Sequence, residues 1–546
     1  MVDSHNLASS RAENDLVSTH GSRVLSLASG TLASRFTGLL RVLVLAWVLG
    51  FTPLADAFNL ANTVPNMVFD LVLGGVASAT FIPVFVERLA VDGERKAWQS
   101  ISTVVNASVG VLAITSLLAW FLAPQIIQGF TSMQHGRSLH LTAQREAAIQ
   151  LLRWFVPQIF FYGLIGISTA MLNIRNRFTA GAWTPVVNNV VCIGVLIWFH
   201  QVEPSPTVNS VLSTQHLLYL GVGTTFGVAL QFLFLLPSLA RTDLFRLRLR
   251  IDFADPALAS IRRLGAWTLA VVVANQVSLY VVLAVAFSLG GSGPVSAYTY
   301  GWSFMQMPYA VVVVSVLASL TPQLARFATD QDFVSFTTRL RFGLRQSLVI
   351  IIPCALFLVV LGSPLVALLL HHADLRHPLL AGTVLRILAA GLPGFTIFQL
   401  GIRGLQAMQR AREVFALYAI ENTLNVILAF VIGRHSIAGL TGSVVISYTA
   451  CALLVLLVLA RHQVSIWSEL WSIHVRRSLL ASVLSLVTMT LVYSAMTATV
   501  GIGLFERFGA SLLSGLLTYL VVLLIGQSRQ RPQSKEHRGA STHHHR

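Results

Sequence analysis

Runs of about twenty apolar residues separated by short connections recur along the whole chain, and that pattern predicts membrane-spanning helices. They fall near 24 to 49, 57 to 86, 100 to 123, 148 to 173, 180 to 199, 217 to 240, 264 to 289, 294 to 324, 343 to 363, 379 to 408, 414 to 433, 437 to 460, 478 to 500 and 507 to 526. The arginine-rich connections, among them Arg88 to Lys96, Arg175 to Arg177, Arg241 to Arg263, Arg326 to Arg345, Arg403 to Arg412 and Arg461 to Arg477, alternate with connections holding few cations. By the positive-inside rule this predicts an even number of spans with both termini cytoplasmic.

Composition agrees with that reading. Of 546 residues, 55% are hydrophobic and 11% charged, at a mean hydropathy of +0.73, well below the charge of a soluble domain. The net charge of +16 is spread over short loops rather than gathered in one patch, which argues against a nucleic-acid partner. Cys192, Cys354 and Cys451 lie in apolar runs and suggest neither disulfides nor a metal cluster. The amino terminus lacks the layout of a cleaved signal, so the first hydrophobic segment is expected to be a span.

Two pairs of spans resemble each other at a spacing of six. "VPNMVFDLVLGGVASATFIPVF" after Thr63 and "MPYAVVVVSVLASLTPQL" after Gln306 share two prolines flanking an apolar stretch and an Ala/Ser pair. The fourth and tenth spans share an outer arginine followed by a proline, Arg153 with Pro157 and Arg386 with Pro393. The expected fold is an all-α polytopic membrane protein of about fourteen transmembrane helices: two six-helix lobes related by a pseudo-two-fold axis along the membrane normal, plus two carboxyl-terminal helices. The corresponding organisation is a cytoplasmic tail (1–23), an N-lobe (24–240), an amphipathic cytoplasmic linker (241–263), a C-lobe (264–460), extra helices (478–526) and a disordered tail (527–546). In the linker, "FRLRLRIDF" either lies on the membrane surface or simply obeys the positive-inside rule. Two lobes enclosing a cavity are transporter architecture.

The first span carries two permanent cations. Counted from Val24, Arg35 lies roughly 16 Å in and Arg41 roughly 25 Å in, and a central arginine costs about 2.5–3.5 kcal/mol on insertion scales. Either each pairs with a buried carboxylate, for which Asp70 and Glu421 are the nearest in depth, or both face a wet cavity and meet an anionic substrate, for which the guanidinium fork suits phosphate. Six residues turn a straight helix through about 240°, so the two do not point one way unless the helix bends. Ser26, Gly30, Ser34 and Gly38 form a small-residue stripe that suits close packing or local bending.

Other candidates follow. Asp56, at the outer start of the second span, reads as a helix cap or as something more. Pro65 with Asn66, and Pro83, interrupt that helix. Glu421 and Asn425 share a face of the eleventh span, where they hold a cation or proton or bond a neighbouring helix. His371, His372, Asp374 and His377 form either a solvated loop or a divalent-metal site. No nucleotide loop and no nucleophile with a base is visible, so an enzyme is not expected, and no cofactor is called for.

"SRFTGLLR" (34–41), "ADAFNLANTVPN" (55–66), "ASATFIPVF" (77–85) and "LNIRNRF" (172–178), with Pro185 and Asn188, resemble the MurJ/MviN lipid II flippases of the multidrug/oligosaccharidyl-lipid/polysaccharide exporter superfamily. The resemblance implies movement of an undecaprenyl-diphosphate-linked peptidoglycan precursor from inner to outer leaflet of the bacterial plasma membrane by alternating access. It implies diphosphate binding by Arg35 and Arg41, gating or orientation by Asp56, Pro65 and Asn66, and drive by Na+, H+ or membrane potential, with Glu421 and Asn425 as coupling candidates. Where many members have further arginines this chain has Phe69, Asp70 and Ser303. Alternatives are a flippase for another polyprenyl-linked glycan, a multidrug exporter of the same superfamily, or a membrane glycosyltransferase using the same carrier.

Overall fold

The computed structural model describes residues 29–71, 93–134, 139–175, 177–214, 216–241, 252, 256–369, 378–499 and 501–528. The ends of the chain, the Pro83 region, nearly all of the linker and the 371–377 histidine motif lie outside them. Every regular element among the described residues is helical.

By contacts the chain divides into two compact units, Met1–Ser296 and Ala297–Arg546. The first holds α1 (Ser29–Leu49), α2 (Pro53–Phe69), α3 (Gly93–Phe121), α4 (Ala123–Thr131), α5 (Leu139–Phe155), α6 (Pro157–Ile174), α7 (Phe178–Val202), α8 (Val208–Ser213), α9 (Leu217–Ala240) and α10 (Pro256–Ser288). The boundary falls in the first turn of α11 (Pro294–Pro308), whose helix passes through a π-helical turn at Tyr309–Val313 into α12 (Val314–Thr329). Then come α13 (Phe333–Leu369), α14 (Pro378–Ala407), α15 (Ala411–Val431), α16 (Ile437–Arg461), the short α17 (Trp467–Leu470), α18 (Ile473–Ala498) and α19 (Leu504–Ser528). The contact boundary therefore comes one span later than the 241–263 connection, because α10 packs on α4, α2 and α3.

Among the described residues thirteen helices are long and apolar enough to cross a membrane. The second expected span corresponds to α2, described for only 17 residues before the described stretch ends at Leu71. Several spans run longer than the apolar count predicts. The third begins at Gly93, the seventh at Pro256, the eighth ends at Thr329 and the ninth covers Phe333–Leu369, since an amphipathic helix continues past the point where its sequence stops being apolar. The fourth is broken: Pro157 starts a new helix after Val156, whereas the matching Pro393 sits inside the unbroken α14. The pairing of the second and eighth spans is closer, for Pro65 and Pro308 both precede π-helical backbone, at Asp70–Leu71 and at Tyr309–Val313. A proline amide cannot donate, which loosens the turn around it.

The turn from α1 to α2 follows from local chemistry. Gly50, at φ +63°, ends α1. Thr52 then caps α2, its hydroxyl accepting from the Ala55 amide at 3.2 Å, and Pro53 occupies the first helical position. In the first unit α9 packs on α7, α6 and α5, and α2 on α5. Ile165, Leu172, Val228, Leu235 and Leu239 interlock there against Phe161, Tyr162 and Phe232. Lipid is as apolar as these side chains, so tight interdigitation rather than escape from water holds such helices together. In the second unit α13 packs on α14 and α18, α14 on α16, and α18 on α19.

Candidate functional site

Arg41 sits where α1, α6 and α7 meet. Its guanidinium lies close to Cys192 and Tyr162, and the Cys192 thiol donates to Asn188 Oδ1 at 3.2 Å. Gly227 of α9 makes room for this cluster: a Cβ there would stand 2.7 Å from Asn188 Oδ1. One turn away Asn189 Nδ2 donates to Thr37 Oγ1 at 3.1 Å and to the Ser34 carbonyl at 3.3 Å, fixing α1 against α7. The small-residue stripe does the same, Gly30 lying against Trp183 and Gly38 against Asn189. Of the two readings of that stripe, close packing is the one visible in these contacts.

Arg35 is exposed and, among the described residues, makes no hydrogen bond or ion pair. On a helix turning about 100° per residue it stands about 120° round α1 from Arg41. It lies between the face packed on α7 and the exposed apolar face of Leu32, Phe36, Leu40 and Trp47. The two cations are thus presented on different sides of one helix. Neither pairs with the carboxylates that sequence placed nearest in depth: Asp70 Oδ2 accepts from Gln276 Nε2 at 3.1 Å, and Glu421 Oε1 from the Ser447 hydroxyl at 3.0 Å.

Asp56 is buried, and it does not cap its own helix; Thr52 does that. Its carboxylate caps the helix beginning at Pro294. Oδ1 accepts from the Ser296 amide at 2.8 Å and the Ser296 hydroxyl at 2.6 Å, and Oδ2 accepts from the Gly293 amide at 3.2 Å. Asn59 Nδ2 donates to the same Ser296 hydroxyl at 3.0 Å. A negative charge at a helix amino terminus meets unsatisfied amides and the positive end of the helix dipole. Gly293, at φ +90°, turns the chain against Phe51, whose carbonyl oxygen would lie 2.7 Å from any Cβ at that position. Further along α2, Asn66 Nδ2 donates to the Asn62 carbonyl at 2.8 Å, a local bond next to Pro65.

At the departures from the resembled pattern the side chains have other work. Phe69 packs on Tyr162 at 4.9 Å between ring centroids, walling the Arg41 cluster with an aromatic surface. Ser303 donates to the Thr299 carbonyl of its own helix at 2.8 Å. In the second unit Glu421 and Asn425 form a two-rung ladder with α16, Ser447 donating to Glu421 Oε1 and Ser443 to Asn425 Oδ1, each at 3.0 Å. Glu421 Oε2 is buried without a hydrogen-bond partner, close to Tyr298, Tyr418, Tyr448 and Cys451. Sequence reading missed Tyr162, Ser296 and Gly293, and took Cys192 for filler. The signal available for the first cluster was the Asn188–Asn189 pair inside an apolar run.

In fold the chain is similar to a structure titled as an inward-facing multidrug resistance MATE family transporter of the MOP superfamily, which superimposes with TM-score 0.66 at 15% identity, over 78% of this chain and 94% of its own. A solved lipid II flippase MurJ in an inward closed conformation superimposes with TM-score 0.75 at 21% identity, over 92% and 99%. The family model described as lipid II flippase MurJ matches residues 45–509, and the chain belongs to that family. Relatives include the probable lipid II flippase MurJ of Haemophilus influenzae, 26% identical over 83% of this chain and 89% of its own length, and the lipid II flippase MurJ of Burkholderia cenocepacia, 28% identical over 71% and 73%. The family match starts at Leu45, so Arg35 and Arg41 stand just ahead of it.

Proposed function

We propose that this chain moves lipid II, a polyprenyl-diphosphate-linked disaccharide peptide, from the inner to the outer leaflet of the bacterial plasma membrane by alternating access. The observation that carries the reading is Arg41. It is half-buried beside Cys192 and Tyr162, and no carboxylate among the described residues pairs with it. A cation within a membrane span without a fixed counter-ion is costly, and a diphosphate supplies one. Arg35, on the neighbouring side of α1, contacts the same head group as the lipid moves past. The family membership and the relatives' names support the choice of lipid.

Both termini are cytoplasmic in this proposal, following the arginine-rich connections, and the Asp56 end faces outward. There Asp56 joins α2 to the start of α11 and gates the outer side, while Pro65 and Asn66 give α2 its irregular middle. No covalent step occurs. Glu421 and Asn425 bind the coupling Na+ or H+, or transport follows the membrane potential. Replacing Arg35 or Arg41 by alanine in cells depleted of their own flippase tests the mechanism; full rescue by both variants removes it. A flippase for another polyprenyl-linked glycan, or a multidrug exporter, is the second reading, favoured by the uncharged Phe69 and Ser303. Binding of labelled lipid II against another lipid-linked sugar separates the two.

A further inference from the structure

A cavity of about 630 Å³ opens in the first unit next to the Asp56 contacts. That volume is within the roughly 300–1,000 Å³ typical of small-molecule pockets. It lies between the start of α2, the end of α4, the start of α5, the start of α8 and the Gly290–Gly293 turn. Among the described residues its lining contains no charged side chain. Such a wall does not select an ion, in contrast to the surroundings of Arg41.

What the wall offers is neutral hydrogen bonding that the protein itself leaves unused. Gln144 donates its amide nitrogen to the Pro53 carbonyl at 3.0 Å, and its oxygen makes no bond among the described residues. Gln134 lines the cavity as well, and its Oε1 makes no hydrogen bond among the described residues. The Asn209 amide and the Ser292 hydroxyl are likewise unengaged among the described residues. Between these groups lie apolar surfaces from Pro53, Leu54 and Val208. A ligand that fills the cavity and bonds these amides and the hydroxyl makes hydrogen bonds that the described residues leave unmade.

We propose that this cavity is a saccharide subsite, taking a neutral sugar with hydroxyl and acetamido groups. A pyranose has apolar C–H faces and a rim of donors and acceptors, which match the apolar surfaces and the Gln134, Gln144, Asn209 and Ser292 groups. On the flippase reading, on which this assignment to the lipid head group rests, the cavity lies on the outer side and receives the sugar as it leaves. Ser292 is adjacent to Gly293, whose amide is held by Asp56 at 3.2 Å. Sugar contact at Ser292 therefore acts on the turn that Asp56 fixes.

The test uses the full chain in nanodiscs with diacetylchitobiose, a neutral acetamido disaccharide, as probe and maltose as control, read by saturation-transfer NMR and calorimetry. The expected result is diacetylchitobiose binding that is at least tenfold weaker in Asn209→Ala and in Gln134→Ala. Asn209 is exposed and without side-chain bonds among the described residues, so its replacement keeps the test valid if the Gln134 variant fails to fold. Absence of binding by the parent chain, binding unaffected by both variants, or equal binding of maltose overturns the subsite. Lipid II translocation is measured on the same samples. Translocation without saccharide binding sinks the subsite alone, and saccharide binding without translocation sinks the flippase reading and leaves only the neutral sugar site.

Discussion

The carboxylate of Asp56 accepts both the backbone amide and the hydroxyl of Ser296, at 2.8 and 2.6 Å, across a sequence separation of 240 residues. A side chain that would ordinarily cap its own helix here stitches the second span to the start of the eighth. Asp56→Ala strips the acceptor from two amides and a hydroxyl, at a cost of about 1–3 kcal/mol for each group left buried and unpaired. The variant is expected to lose complementation and to exchange the Gly293 and Ser296 amide hydrogens faster; Asp56→Asn, which keeps a carbonyl oxygen, is expected to fall between. Unchanged exchange at both amides in the alanine variant would contradict the role given to Asp56.

Gly293 provides an independent way to disturb the same joint. At φ +90°, with the Phe51 carbonyl 2.7 Å from where a Cβ would stand, Gly293→Ala is strained in backbone and in space. About 1–3 kcal/mol of strain is expected, seen as a lower melting temperature in detergent and a transport defect resembling that of Asp56→Ala. A variant as stable as the parent would mean that the turn relaxes freely and fixes nothing.

Arg41 and Arg35 are expected to respond differently to lysine. Arg41 lies beside Cys192 and Tyr162, and a lysine there keeps the charge but loses the guanidinium's parallel donors. Lipid II binding by Arg41→Lys should weaken about tenfold or more, the equivalent of one charge-assisted hydrogen bond. Exposed Arg35 should tolerate lysine better than alanine. The check is titration of labelled lipid II into each purified variant, and equal affinities across the set would refute the assignment.

Glu421→Gln removes the charge of the buried carboxylate while keeping its size and the acceptor for Ser447. In vesicles with an imposed Na+ or pH gradient, the variant should transport at a rate that no longer follows the gradient. Ser443→Ala, which removes one donor to Asn425 Oδ1, should cause a smaller change. If Glu421→Gln still answers to both gradients, ion coupling lies elsewhere in the chain.

A pH effect is expected outside the membrane, at Asp332. The hydroxyl and backbone amide of Ser335, the latter at 2.9 Å, hold this carboxyl below the usual carboxylate range at the start of α13. A lowered folded-state pKa stabilises above the unfolded value of about 3.9 and is lost as pH falls through the folded value. Asp332→Ala should therefore melt below the parent at neutral pH and converge with it as pH falls through the lowered folded-state value. Melting curves that stay parallel across that window would argue against the cap.

Much of the fold was legible because membrane insertion is written in one dimension: an apolar run of sufficient length must become a helix to satisfy its own amides. The repeated prolines at Pro65 and Pro308 were legible for the same reason, as each disturbs its own helix. Cys192 shows where that legibility stops. In sequence it is a small residue in an apolar run, and only the packing of α1 on α7 turns it into a seat for Arg41.

The sequence by itself determined the all-helical class, the approximate placement of the spans and the presence of costly cations in the first span, because these depend on hydropathy along each segment. Only the tertiary structure decided that Asp56 serves a helix 240 residues distant, that Arg35 and Arg41 lie on different sides of α1, and that Glu421 and Asn425 each meet a serine of α16. The physical reason is that a partner's identity depends on which helix faces come together, and that is set by close packing among many side chains rather than by the hydropathy of any one segment.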